Sequence, residues 1–567
     1  MLIDVHGHPP RSEGDSGAFF DALARWDSRL LISHLGPQGR GYLQDPSFEE
    51  LTQGNDECAA FVRAHPDVLA GYCYVNPSRT QEALDEMERR LLGQADAFVA
   101  LKLWVAVRCS DARLDPIMEF CAAHAVPVLQ HTWMKVGPTG PGSGNLPGES
   151  TPLDLLALAR RHPKVKFFGG HTGGDWEWGV AALKQVDNVW LDVAGGEATG
   201  AYAEIALAAV GAGRIVYGTD VSGRSVPSQL AKIVCLDVPA ADLDRMLWQN
   251  AAEVLGDRLP ATWGTGRPGV SAVVATTARP VVLTTRPEPV RTPLIDVNSF
   301  LGDWPSRRLH ASPPTTPAAQ LARRLQSMER HGIERAVVSP LDAVFLKDVD
   351  IANHELHELL ARQPSASRRV TPAYVINPTW PAWAEHLERC RNGYGGRAAR
   401  GVIRLLPGYH AYRLDDESIR PCLDRLAELE LAVIVTVQLE DSRMHHPVMR
   451  VPDVSLDEVV SVIGRYPSTR WIIANCIGSQ IRTVCERLSA DAQVWFDVAR
   501  VQGPVDALRT LAAAPGVGVG RLLFGTNMPL LVPESPLMEL ADARLTSDEE
   551  RALGRGNALA AFGLDAT

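Results

Sequence analysis

No run of apolar residues in this chain approaches the roughly 18 that a membrane-spanning helix needs, so no segment reads as a span. Residue 2 already belongs to a strand pattern, leaving no room for a basic-then-apolar leader. Cysteine is sparse: nine in 567 residues, with no CxxC pair and no regular spacing. That excludes a disulfide framework and suggests reduced thiols in a cytoplasmic protein. Basic charge is not concentrated either. The balance is 56 Lys and Arg against 67 Asp and Glu, a net charge of −11, with no stripe that would track a phosphate backbone. Nucleic acid and membrane are therefore excluded as expected partners, and a small-molecule substrate is the expectation. What remains is globular in composition, 46% hydrophobic and 22% charged. The length suits three or four average domains, or two α/β barrels of about 250 residues each.

The first half alternates short apolar runs with longer amphipathic stretches. The strand candidates are LIDVHGH (2–8), RLLISHLG (29–36), LAGYCYVNP (69–77), FVALKLW (98–104), VPVLQHTW (126–133), VKFFGGHTGG (165–174), NVWLDVAGG (188–196) and RIVYGTD (214–220). Eight continuously apolar strands separated by helical patterns predict a parallel (β/α)8 barrel. A doubly wound open sheet is the alternative, but no GxGxxG follows the first strand to support it.

The pattern then begins again. LIDVNSF (294–300) repeats the first strand, AYVINP (373–378) the third and VIRLL (402–406) the fourth. AVIVTVQL (432–439) matches AVPVLQHT (125–132), VWFDVA (494–499) matches VWLDVA (189–194), and RLLFGTN (521–527) matches RIVYGTD. Six matches in one order predict a tandem duplication. The expected organisation is a barrel over 1–259, a Pro-, Thr- and Arg-rich linker over 260–292 with one or two short extended pieces, and a second barrel over 293–567.

In a parallel barrel the chemistry gathers at the C-terminal strand ends. His6 and His8, at i and i+2, share one face of strand one. His131 closes strand five, His171 strand six and Asp220 strand eight. Singly each has an ordinary structural reading; together, five potential ligands at one barrel end point to a metal site.

These residues resemble the amidohydrolase superfamily of metal-dependent barrels, in the subgroup related to aminocarboxymuconate semialdehyde decarboxylase. The resemblance runs through DVHGH, KLW, RLDP, VPVLQHT, HTGG, NVWLDVAG and YGTD, nearly all of residues 1–257. It implies one divalent metal held by His6, His8, His131 and Asp220, with Asp220 and His171 as the catalytic acid/base pair. Imidazoles with one carboxylate suit Zn²⁺ first, then Mn²⁺ or Fe²⁺. Lys102 reads as a barrel-lining residue that binds substrate or packs, with a modified lysine bridging two metals as the second option. Trp104 and Trp133 either wall a substrate pocket or pack beneath loops. His34 reads as a core histidine, and KVGPTGPGSGNLPGES (135–150) as a lid or, alternatively, a disordered insertion. The implied reaction is hydrolysis of an amide, lactam, lactone or ester by metal-activated water; non-oxidative decarboxylation of an aromatic or unsaturated acid is the alternative. A scaffold without catalysis is disfavoured by the complete ligand set.

The second half keeps the frame and loses the ligands. Letter matching puts Asn298 at the place of His6, Phe300 at His8, Gln438 at His131, Cys476 at His171 and Asn527 at Asp220. The second barrel is expected to be non-catalytic and to pack on the first as an intramolecular pseudo-dimer, with further self-association open; a binding module for a ligand or protein partner is the rival reading. Arg443 or Arg482 would be the residue it lends to the first site. His445 and His446, being adjacent, are expected in a loop.

Overall fold

The structure is a computed structural model. It describes the chain except residues 11–14, 94–96, 136–143, 264–271, 274–281, 284–291, 313–315, 395–400, 450 and 564–567. The expected lid over 135–150 and the linker over 260–292 therefore lie in large part outside the described residues.

The first half is a parallel barrel of eight strands in sequence order: β1 (Leu2–Gly7), β2 (Ser28–Ile32), β3 (Leu69–Tyr74), β4 (Phe98–Leu103), β5 (Val128–His131), β6 (Phe167–Gly170), β7 (Val189–Asp192) and β8 (Ile215–Val216). Every residue of β1, β3 and β4 is buried, as strands covered by helices outside and packed side chains inside must be. The ring closes through Val5 N–H to Tyr217 O (3.0 Å) and a parallel bridge between Gly7 and Val221. β8 is shorter than its sequence pattern. Asp220 lies four residues beyond it, with φ 63, and its N–H donates to His6 O at 2.7 Å.

Local capping sets the segments around the mouth. Thr151 and Asp154 form a reciprocal cap that starts the helix Pro152–Arg161 just after the 144–150 segment. Asp175 accepts from Trp178 N–H and starts Trp176–Leu183, which puts Trp176 and Trp178 on that helix's first turn.

Between the halves, β9 (Ala272–Val273) and β10 (Val282–Leu283) pair antiparallel. The second half repeats the barrel with β11 (Leu294–Leu301), β12 (Ile333–Pro340), β13 (Val370–Pro372), β14 (Tyr374–Val375), β15 (Val402–Leu405), β16 (Ala432–Thr436), β17 (Arg470–Ala474), β18 (Val494–Asp497) and β19 (Leu522–Leu523). β13 and β14 are one strand position interrupted at Ala373, so the sheet reads as three strands plus six. Val297 N–H to Phe524 O (3.0 Å) and the Ser299–Met528 bridge close it. The fold is thus two tandem barrels.

The barrels meet through equivalent elements. The helix Val226–Val234, which follows β8, is buried along its whole length and packs on Glu534–Asp542, which follows β19. Segments 198–200 and 530–532 exchange backbone bonds, Gly200 N–H to Leu530 O (2.9 Å) and Val532 N–H to Ala198 O (2.8 Å). Arg25 reaches Asp542 and Asp506, each at 2.9 Å; Trp26 Nε1 donates to Asp542, Arg500 pairs with Glu197, and Ser225 Oγ donates to Glu539.

Candidate metal centre and active-site chamber

His6 on β1 and His8, one residue past its end, stand at the barrel mouth, and each ring is fixed from behind. His6 Nδ1 donates to Asp192 Oδ2 at 2.6 Å, and His8 Nδ1 donates to Ser33 O at 2.9 Å. Both acceptors hold the proton on Nδ1 and leave the Nε2 lone pair facing inward. His8 Nε2 lies 3.5 Å from Asp220 Oδ1, and Lys102 Nζ donates to His6 Nε2 at 3.0 Å.

His171 follows β6 in the left-handed region, φ 59. Its N–H donates to Asp192 Oδ2 (3.2 Å) and its Nδ1 to Ala194 O (2.9 Å), so its Nε2 lone pair also points inward. A side chain at Gly195 would put its Cβ 2.5 Å from His171 Nδ1, so the ring's seat requires glycine there. His131, at the end of β5, donates from Nε2 to Glu149 Oε1 (3.1 Å), a carboxylate also held by Lys135 at 2.8 Å. That turns His131 Nδ1 toward His171 Nε2, 3.1 Å away. Two imidazole lone pairs cannot bond each other; a cation or proton between them is what this arrangement accommodates.

Four imidazoles with outward acceptors and inward lone pairs, plus Asp220, form a donor set that fits a divalent metal. The ligand atoms of His6, His8 and Asp220 lie within 4.8 Å of one another, as do those of His6, His171 and Asp192. His131 joins neither group and approaches through His171. Burial, ahead of neighbouring charge, pushes the pKa values of His6 and His171 well below the usual imidazole range and that of His8 to about 3. Burial likewise raises the Asp220 carboxyl and lowers the Lys102 ammonium, each against the pull of the opposite charge nearby.

Besides Glu149, two carboxylates here were not singled out from the sequence. Asp192 positions both His6 and His171, and burial raises its pKa to about 6. Asp4 accepts from Thr219 N–H (3.0 Å) and Thr219 Oγ1 (2.5 Å), pinning β1 to the turn that carries Asp220. The available signal was their repetition as Asp497 and Asp296 in the second half.

Trp133 lies 5.0 Å, ring to ring, from His171. Trp104 stands on another side, reaching His8 only through Tyr42, at 5.9 and 5.2 Å respectively. His34 is buried beside Glu57, at 3.8 Å. Beside His171 a chamber of about 230 Å³ runs between the barrels, walled by Trp133, Trp176, Trp178 and Gly195 on one side and by Asp441 and His445 on the other. Arg443 stacks 4.5 Å over the Trp133 ring while paired with Asp441 at 2.6 Å. Arg482 is exposed, and none of its side-chain contacts ties it to this chamber.

Strand register corrects two matches in the second half. Val433 pairs with Trp471 as Val128 pairs with Phe167, so Thr436, not Gln438, stands at the place of His131. By the same register Asn475, not Cys476, stands at His171; it shares that residue's positive φ (66) and its N–H bond to the β18 carboxylate, Asp497, at 2.8 Å. Letter matching slipped by two positions and by one because the runs are apolar and lack a fixed anchor. Amides now join each other where ligands would stand: Asn298 Nδ2 to Asn475 Oδ1 (2.6 Å) and Asn475 Nδ2 to Asn527 Oδ1 (3.2 Å). Arg404 replaces Lys102, its Nε on Ser339 (2.7 Å) and its guanidinium 4.4 Å over Phe300. Among the described residues, no group of potential ligands gathers in this half.

The model of the amidohydrolase family matches residues 3–256 and again 300–564. The chain belongs to the amidohydrolase family. Each barrel is one copy of that amidohydrolase unit. No curated protein matches it. Solved structures similar to part of this chain include a putative amidohydrolase from Staphylococcus aureus (15% identity, 45% of this chain and 99% of that one, TM-score 0.36). Others are 5-carboxyvanillate decarboxylase from Sphingomonas paucimobilis (15%, 45% and 98%, 0.36) and a dihydroxybenzoic acid decarboxylase from Polaromonas sp. JS666 with bound manganese and an inhibitor (18%, 46% and 98%, 0.32). No helix among the described residues is long and apolar enough to cross a membrane.

Proposed function

We propose that residues 1–259 form a metal-dependent enzyme that removes CO₂ from a small planar carboxylic acid. In this reading 260–292 is a linker and 293–567 a non-catalytic barrel that covers the first as a built-in partner. The observation that carries it is the chamber beside His171: small, walled by three tryptophans and closed by the second barrel. Such a site takes a flat apolar body and removes water from the carboxylate it holds, which favours dispersal of that charge.

His6, His8, His131 and Asp220 would hold one divalent metal, Zn²⁺ or Mn²⁺ by donor type. When bound, it supplies a Lewis acid that orients the acid and stabilises negative charge on oxygen. Asp192 and Glu149 keep the imidazoles in the tautomers this needs. Trp133, its ring capped by Arg443, forms part of the wall beside the substrate. Breaking the carbon–carboxylate bond leaves its electron pair on carbon, and Asp220, at the barrel mouth, would carry the proton that replaces the carboxylate there. His171, neutral through burial, accepts a hydrogen bond from the substrate or helps return the proton to Asp220.

Hydrolysis of an amide, lactam, lactone or ester is the second reading, favoured by Asp220 Oδ1 standing 3.5 Å from His8 Nε2, where a carboxylate could act as base for water. Nine free thiols support a reducing, cytoplasmic setting. The test is a panel of hydroxylated benzoic acids and their methyl esters, followed by CO₂ release and by acid production. CO₂ from the free acids supports decarboxylation; ester cleavage without CO₂ moves the assignment to hydrolysis.

A further inference from the structure

The segment that follows β7 seats His171, and it is held in turn from outside the site. Ala194 O accepts from His171 Nδ1 at 2.9 Å, and Gly195 lies against the same ring. The carbonyls on either side of Ala194 O both accept from one side chain: Lys232 Nζ donates to Val193 O at 2.9 Å and to Gly195 O. Its third acceptor is Gln229 Oε1, three residues back on the same helix, at 2.7 Å. An ammonium has three N–H donors, and these three oxygens take one each.

Lys232 is 4% exposed, and its hydrogen bonds go to neutral acceptors. Such a place is unfavourable for a cation. Burial, with Arg224 nearby, brings its pKa down to about 7 against the pull of Asp192, Asp220 and Glu197. A link between helix and loop that served packing alone would be as stable with an apolar side chain. What the lysine adds is a fixed position for two carbonyls.

The helix that carries Lys232, Val226–Val234, is itself fixed by the second barrel. Ser225, its N-cap, donates to Glu539, and Gln502 O accepts from Ser225 N–H and from Ser228 Oγ, each at 3.2 Å. Gln502 Oε1 also accepts from Ala198 N–H at 3.1 Å, and Arg500 pairs with Glu197, farther along the segment that seats His171. Helix and segment are thus both anchored on residues 500–502, and Lys232 joins them beside the chamber.

We infer that Lys232 is a positioning residue for His171: it fixes the carbonyls of Val193 and Gly195, keeps Ala194 O on Nδ1, and so holds the His171 Nε2 lone pair toward the site. Lys232 acts through the backbone of 193–195. This rests on the acid–base role proposed for His171.

The test uses the zinc-loaded full chain with ¹⁵N-labelled histidine rings and reads the tautomer of His171, whose signals are those lost in His171→Asn. In wild type the proton should sit on Nδ1; a ring protonated on Nε2 instead overturns the inference. Lys232→Met, similar in length and without donors, should move the His171 signals toward a mixture of both tautomers. Lys232→Arg, which keeps N–H donors, should restore the wild-type pattern at least in part. His162, bonded to Asp115 at 2.8 Å at the end of helix Pro152–Arg161, is the internal control and should not change. An unchanged His171 tautomer in Lys232→Met, or an equal change at His162, overturns the inference. Melting curves show whether Lys232→Met folds; if it does not, Lys232→Gln, one atom shorter, takes its place with the same expected direction. On any acid or ester that wild type converts, Lys232→Met should lower kcat about 10–100-fold with KM little changed. It should add nothing in a His171→Asn background; an additive loss makes Lys232 a merely structural residue and overturns the inference. If no aryl acid releases CO₂ yet the tautomer follows Lys232, the reaction assignment fails and this one stands. If CO₂ is released but the tautomer ignores Lys232, the reverse holds.

Discussion

Asp192→Asn is the sharpest perturbation of the metal centre, because Asp192 is not among the expected ligands and acts through two of the imidazoles. Its Oδ2 accepts from His6 Nδ1 at 2.6 Å and from His171 N–H at 3.2 Å, and its Oδ1 accepts from Ala194 N–H at 2.9 Å. An amide keeps one acceptor and turns the other into a donor, so one of these sets loses its oxygen and meets an N–H instead. Loss of such a supporting carboxylate costs about 10–100-fold in metal affinity, about 1.4–2.8 kcal/mol. The buried N–H pair facing each other adds about 1–3 kcal/mol of instability, a melting-temperature fall of several degrees for a barrel of this size. The assay is competition with a chromophoric chelator, run on wild type, Asp192→Asn and Asp497→Asn. Asp497 is the matched carboxylate of the second barrel, bonded to Asn298 and Asn475, so its variant should lose stability and keep metal affinity. Undiminished affinity in Asp192→Asn, or equal loss in Asp497→Asn, would refute the reasoning.

The double variant His6→Ala/His8→Ala should hold no stoichiometric metal, measured by elemental analysis, because it removes both donors at the end of β1. Asp220→Asn should fold and lose about 10²–10⁴-fold in turnover, the usual worth of a general acid–base group, read by CO₂ release. Thr436→His with Asn527→Asp should create no metal site in the second barrel, since Phe300 and Asn298 still occupy two ligand places; equilibrium dialysis against Zn²⁺ checks this. Residues 1–265 expressed alone should aggregate or melt well below the full chain. That fragment uncovers the helix Val226–Val234, all of it buried in the full chain.

The barrels were legible because buried parallel strands write continuous apolar runs, and because the second half repeats the first. The His6–His8 pair was legible for the same reason: period two fixes both on one face of β1. Asp220 was found by its place in YGTD although the regular strand ends at Val216; the segment Tyr217–Asp220 keeps barrel closure without ladder geometry. The matches for Gln438 and Cys476 failed because apolar letters slide along one another, whereas hydrogen-bond register does not. Asp192 and Glu149 escaped notice because a carboxylate that orients a ligand has the same signature as any strand-end or loop acid. The chamber between the barrels was out of reach of motif reading, since it depends on how Val226–Val234 meets Glu534–Asp542, more than 300 residues apart in sequence.

The central claim is one metal, in the first barrel alone. Anomalous diffraction from crystals of the full chain, recorded across the absorption edge of the metal that elemental analysis identifies, tests it most directly. The account predicts a single peak per chain between His6, His8 and Asp220; a peak among Asn298, Asn475 and Asn527, or none beside His6, would contradict it.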